Sequence, residues 1–174
     1  MGFYTPSTIV EDARRHGVEV RPVDVRASDW DCTLEAVEAR TLFAVRLGFR
    51  YVKGLRGTEG ERIVAARRAG EFLSLADFTR RVRPGSDVLQ VLAEAGAFDG
   101  FESSRRTALW EAKALAKCRE DPLPLERSAP DRHFARLSLA ETIRWDYRTT
   151  DLSPRGHPLE AVRARLRAQG LPDA

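Results

Sequence analysis

Sulfur is scarce in this chain of 174 residues, which has two cysteines and one methionine. Cys32 and Cys118 form no C-x-x-C pair and have no histidine beside them. That excludes a disulfide framework and a thiolate zinc site, and leaves isolated reduced thiols. Three histidines, His16, His133 and His157, are scattered and give no metal spacing. No apolar run approaches the roughly 18 residues of a membrane span. The first residues lack the basic-then-apolar pattern of a secretory leader, so a cytoplasmic protein with no membrane partner is expected. A dominant charge is also missing. Lys+Arg number 29 against 26 Asp+Glu, a net charge of +3. The isoelectric point near 9.2 permits an acidic partner without demanding one. What is present is a globular balance, 43% hydrophobic and 32% charged, in a length sufficient for one sizeable core or two small ones.

Along the chain, Thr5 and Pro6 open a helix with an apolar stripe at Ile9, Val10 and Ala13, and Gly17 stops it. Residues 18 to 25 read as a short strand that Pro22 confines to an edge or bulge. Asp29-Trp30-Asp31-Cys32 reads as a loop. Residues 43 to 51 alternate, with Phe43, Val45, Leu47, Phe49 and Tyr51 on one face. This is the clearest strand, and the 18–25 segment is its expected partner. Helices follow. Thr58 with Glu61 predicts a capping box. Ser74 caps a short helix carrying Leu75, Phe78 and Val82. Ser86 caps another with Val88, Leu89 and Leu92, ended by Gly96. Ser104 opens a longer one through Leu109 and Ala112. Pro122, Pro124 and Pro130 mark a linker over 121–137. Ser138 with Glu141 is a second capping box, and Leu159, Val162 and Leu166 form a last apolar stripe.

Two stretches carry candidate chemistry. Val52-Lys53-Gly54-Leu55-Arg56-Gly57-Thr58 joins a strand to a helix start. Glycines let backbone approach a phosphate, and free N–H groups at a helix N-terminus attract anions. Lys53 and Arg56 add positive charge there. An ordinary tight turn fits the same residues. The second stretch runs from the helix ending at Ala95, through Gly96-Ala97, to the helix that begins with Arg105 and Arg106. Two cations at a helix N-terminus oppose its dipole unless an anion or solvent screens them. The competing reading is a solvated pair on a hairpin that serves the core. Together the pattern predicts phosphate contacts from Lys53, Gly54, Arg56, Gly57 and Thr58 and from Gly96, Arg105 and Arg106. Such contacts bind duplex DNA without reading sequence, in a salt-sensitive way. No stacking platform for single strands is evident.

The residues also resemble a family. Met1-Gly2-Phe3-Tyr4, Asp12 to Val20, Arg46-Leu47-Gly48, Val52-Lys53-Gly54-Leu55, Glu61-Arg62-Ile63-Val64 and Ala95-Gly96-Ala97-Phe98 are similar to C-family bacterial replicases of the DNA polymerase III alpha-subunit type. Ser28 to Glu35, Pro122-Leu123-Pro124-Leu125, Asp146 to Thr150 and His157-Pro158 resemble the error-prone branch of that family. The residue pattern predicts a fold that is mainly α with a small β-sheet near the N-terminus, and the resemblance implies that a tandem helix-hairpin-helix domain lies at its centre. It divides the chain into a rear-fingers remnant (1–41), a strand with the tandem hairpins (42–120), the linker (121–137) and a helical tail (138–174) toward an oligonucleotide-binding-fold domain. It also implies translesion copying of damaged DNA in replication and repair, by a nucleotidyltransferase using Mg²⁺ and deoxynucleoside triphosphates. Accessory mutagenesis proteins and the sliding clamp are implied partners. Helix-hairpin-helix loops usually run Gly-hydrophobic-Gly, whereas here Arg56 follows Leu55 and Gly57 is displaced by one.

Catalysis is not expected of this segment. Two-metal phosphoryl transfer needs paired carboxylates, and the family's lie upstream in the palm. The single Asp-x-Asp, Asp29-Trp30-Asp31, sits in a loop and reads as turn-forming. His16 reads as a helix C-cap and His157 as an aid to the last helix start. A structural segment that links fingers to a downstream domain remains the alternative to DNA binding. The discriminating observation is whether Lys53, Arg56, Arg105 and Arg106 share one exposed face.

Overall fold

Thr5 accepts the Thr8 N–H and Pro6 stands in the first turn, so the chain enters α1 (Pro6–Arg15) where local chemistry favours it. The computed structural model describes residues 3–37, 43–101, 104–120 and 134–170. His16 caps the end of α1. The N–H groups of Gly17 and Val18 turn back to Arg14 and Ala13 and close the helix. Val10 and Ala13 pack on the core, whereas Ile9, expected on the same stripe, is exposed.

The sheet has three strands in the order β1-β3-β2, with β1 Val20–Arg21, β2 Thr33–Ala36 and β3 Phe43–Arg46. The expected pairing of the 18–25 and 43–51 segments is present but short, and parallel, with Val20 opposite Val45. The predicted long strand stops at Arg46. Gly48 lies directly against the backbone of Trp30 and Asp31, and a 3₁₀ turn at Phe49–Tyr51 follows. The apolar alternation continued past the strand because Leu47 and Phe49 are buried for the sake of the core, not of the sheet. At the strand's start the expected face is reversed: Ala44 is fully buried and Phe43 is exposed.

Strand β2 gave no sequence signal. Its one large apolar residue, Leu34, faces outward. Glu35 holds it instead, accepting from Arg21 Nη1 at 2.6 Å and Arg46 Nε at 2.7 Å. The Arg46 guanidinium, helped by Arg21, keeps the Glu35 carboxyl below the usual glutamate range against the opposing cost of burial. A depressed carboxyl stabilises the fold at neutral pH, and that contribution is lost as pH falls below about 4.3 toward the lowered value. Glu35→Gln is therefore expected to shrink the drop in melting temperature between about pH 7 and about pH 4. Equal acid losses in both proteins, followed by circular dichroism, would refute this. The sheet joins residues on both sides of position 41/42.

The remainder is helical: α2 (Gly57–Arg68), α3 (Leu75–Val82), α4 (Ser86–Glu94), α5 (Arg105–Glu120), α6 (Leu139–Thr150) and α7 (Glu160–Ala168). The chain is thus mainly α with a small sheet near its N-terminus. Ser74 and Ser104 cap α3 and α5 by accepting the N–H groups of Asp77 and Thr107. Ser138 and Glu141 form the expected capping box at α6. Two caps differ. Gly85, not Ser86, precedes α4. Arg56, not Thr58, precedes α2, because the N–H groups of Glu59 and Gly60 both turn to the Arg56 carbonyl, at 3.0 and 3.1 Å. Thr58 is left as the second residue of the helix.

One hydrophobic cluster runs from Val20 to Leu152. At its centre Phe78 meets Phe72 and Phe98 edge-on, with ring centroids 5.1 and 5.2 Å apart, an arrangement favoured by the ring quadrupoles. Ile143 of α6 is buried too. The Pro-containing stretch of the linker, 121–133, lies outside the described residues.

Candidate nucleic-acid interface

The first glycine corner is open. Leu55 anchors it in the core while Lys53, Gly54, Arg56 and Thr58 are exposed around that anchor. Gly54 has φ +81°, a left-handed conformation that glycine adopts without strain, and its Cα faces Val91 of α4. The N–H groups of Gly54, Gly57 and Thr58 have no acceptor among the described residues, and neither does the Arg56 guanidinium. Free amides, a helix N-terminus and an unpaired cation thus coincide on one surface. The indole of Trp30 supports this start from below, and a β-carbon at Gly60 would come within 2.6 Å of it. Lys53 is tethered: its N–H donates to the Thr149 carbonyl at 2.9 Å, and its Nζ lies 2.6 Å from Asp151 Oδ1.

The second corner is closed. Gly96 is buried with φ +75°. The Gly96 N–H goes to the Ala93 carbonyl and the Ala97 N–H to the Leu92 carbonyl, so both amides are spent on ending α4. The Arg105 guanidinium lies flat on Gly96, leaving no room for a β-carbon.

Arg105 itself is turned inward, with 3% of its side chain exposed. Its Nε donates to Asp99 Oδ2 at 3.3 Å. Its Nη1 lies 2.7 Å from Asp146 Oδ1, close enough for an ion pair but out of line for a hydrogen bond, so Nη1 and Nη2 lack aligned acceptors. Asp146 is buried as well, and also accepts from Ser153 Oγ at 2.7 Å and Arg155 Nη1 at 3.1 Å. Arg155 Nη2 reaches Asp99 at 3.1 Å and completes the ring. Burial pushes the Asp99 carboxyl up while Arg105 and Arg155 pull it down, with burial the stronger. Arg106 donates to Glu141 Oε1 at 2.8 Å.

The four cations therefore do not share one exposed face. Lys53 and Arg56 stand at the open corner, while Arg105 and Arg106 are committed to α6. The helix pair α4 and α6 nonetheless brings the corners together. Val91 faces Gly54 and Gly96 ends α4; Thr149 and Asp151 meet Lys53 and Asp146 meets Arg105. The sequence gives no sign that Asp99, Asp146, Asp151 and Arg155 belong to this site, because each has a partner tens of residues away that no local motif marks. Asp29 pairs with Arg67 and Asp31 with Arg50, which gives the Asp-x-Asp a structural use. His16 caps α1, and His157 Nδ1 accepts the Leu159 N–H at the approach to α7.

Residues 17–108, more than half of the chain, match the model of the helix-hairpin-helix motif. The chain belongs to the helix-hairpin-helix family. Relatives extend beyond that motif. Error-prone DNA polymerase 2 of Agrobacterium fabrum is 43% identical over 98% of this helix-hairpin-helix chain. The error-prone DNA polymerase of Pseudomonas fluorescens is 40% identical over 97% of it, and that of Methylococcus capsulatus 39% over 98%. The chain spans 17%, 16% and 18% of the length of these three. It is thus similar throughout to one segment of error-prone DNA polymerases. Among the described residues no group of three or more His, Cys, Asp or Glu side chains is placed to hold a metal ion. No helix among them is long and apolar enough to cross a membrane.

Proposed function

We propose that this chain is the duplex-gripping module of an error-prone DNA polymerase. It holds the sugar-phosphate backbone without reading bases, and contributes grip rather than catalysis. The open first corner carries this reading: unpaired N–H groups of Gly54, Gly57 and Thr58 beside Lys53 and Arg56, in a helix-hairpin-helix chain. A phosphate there accepts from the amides and is attracted by two cations. Gly96, Arg105 and Arg106 act indirectly, by holding the second hairpin. The burial of Gly96 and Arg105, with the half-exposed Arg106 paired to Glu141, favours a structural role for that unit, so the two readings of the sequence divide between the two hairpins. In the whole polymerase, Mg²⁺ and deoxynucleoside triphosphates belong to a catalytic centre elsewhere. Copying of damaged templates, with accessory mutagenesis proteins and the sliding clamp as further partners, is part of the same proposal.

The test is a titration of short labelled duplexes of two unrelated sequences at two salt concentrations. Dissociation constants of about 10⁻⁴ to 10⁻⁶ M are expected at physiological salt, equal for both sequences, and tightening at low salt by a log–log slope of about 0.9 per phosphate engaged. Lys53→Glu with Arg56→Glu is expected to weaken both duplexes alike by about tenfold or more and to flatten the slope. Asp151→Asn, which releases the Lys53 amine, is expected to shift affinity the other way. No binding at low salt, or a double variant that binds as wild type, would end the proposal.

A further inference from the structure

We infer that α6 is the splint that aligns the two hairpins, and that Asp146 is the positioning residue through which it does so. The inference rests on the reading of the Gly54–Thr58 corner as the DNA contact. The helix-hairpin-helix match ends at residue 108, whereas α6 begins at Leu139. Yet α6 is bonded to both corners. Its last turn offers the Thr149 carbonyl to the Lys53 N–H, and Asp151 just beyond holds the Lys53 amine. One turn earlier, Asp146 meets the Arg105 guanidinium that seals Gly96. Along its exposed side Arg148 pairs with Glu94 of α4 at 3.3 Å, and at its start Glu141 pairs with Arg106 of α5.

The end of α6 is stiff. The Thr149 hydroxyl donates to the Trp145 carbonyl, the Thr150 hydroxyl lies against the carbonyls of Asp146 and Leu152, and Leu152 is fully buried. Asp146 and Thr149 are three residues apart, about 4.5 Å along the axis. A displacement of Asp146 is therefore carried to the Thr149 carbonyl, and from there to the amide that begins the DNA corner. Buried ion pairs add little net stability, because desolvation offsets their attraction, but breaking one leaves a charge that accepts few other geometries. The Asp99–Arg105–Asp146–Arg155 ring suits a part whose task is placement.

The experiment uses the whole 174-residue protein carrying Asp146→Ala. The first readout is amide hydrogen exchange by NMR at Lys53, with Ile63 in the middle of α2 as reference. Exchange at Lys53 is expected to accelerate about tenfold or more while Ile63 stays protected, the signature of local opening. The second readout is duplex affinity: Asp146→Ala is expected to weaken binding, and Lys53→Glu added to it to cost less than it does alone. Unchanged exchange at Lys53, equal acceleration at both amides, or fully additive affinity losses would overturn the inference. Arg155→Gln, which loosens the ring from its more exposed side, takes the place of Asp146→Ala if that protein does not fold. If wild type fails to bind duplex DNA, the exchange data still decide the splint, and the DNA reading falls by itself.

Discussion

Replacing Gly48 by alanine is expected to destabilise the fold by more than about 4 kcal/mol, a large loss for a single methyl group. The added carbon would overlap the backbone of Trp30 and Asp31, not a side chain able to rotate away. That backbone is pinned: the Phe49 N–H donates to the Asp29 carbonyl at 2.8 Å and the Arg50 N–H to the Trp30 carbonyl at 3.0 Å. Relaxation must break these bonds or lift Phe49, which is fully buried, out of the core. For a chain of this size the melting temperature is expected to fall by about 8–16 °C. A scanning-calorimetry melt within about 2 °C of wild type would show that the two segments do not approach as described.

Arg105→Met should cost about 3–5 kcal/mol in urea denaturation. Methionine keeps much of the side chain's length and removes its charge, leaving Asp146 buried with only Ser153 and Arg155 for partners. Pairing it with Asp146→Leu should recover part of the loss, because an apolar pair escapes the desolvation cost of both ions while Ser153 and Arg155 lose an acceptor. A single variant as stable as wild type would mean that the guanidinium is solvated after all. The double variant also separates stability from placement. If the splint reading holds, it melts above Arg105→Met yet still exchanges its Lys53 amide quickly.

Local features were legible in the sequence. The Ser138–Glu141 box, the Ser74 and Ser104 caps and the stops at Gly17 and Gly96 each depend on residues within one or two turns, and all are present. So are the buried faces of Leu75, Phe78 and Val82 and of Val88, Leu89 and Leu92. The misread cap at Thr58 shows the limit of that logic. Its spacing to Glu61 suits a capping box, but the Arg56 carbonyl captures two amides and starts the helix sooner. Strand β2 was invisible because a strand held by Glu35 across to two arginines shows no apolar alternation. Half of the candidate site was legible for the same reason. The exposed corner at Gly54 is built within seven residues, whereas the burial of Arg105 is decided by Asp146, on a helix beyond a proline-rich connection.

That dependence has a consequence for synthesis. Arg105 leaves the ribosome well before Asp146, and until the later residue arrives its guanidinium has Asp99 as its near acidic partner. Water, not the hydrophobic cluster, is then the lower-energy surrounding for the charge. The nascent second hairpin is accordingly expected to stay ajar over Gly96 until α6 has been translated, and a ribosome stalled within the connection to hold an unfinished module.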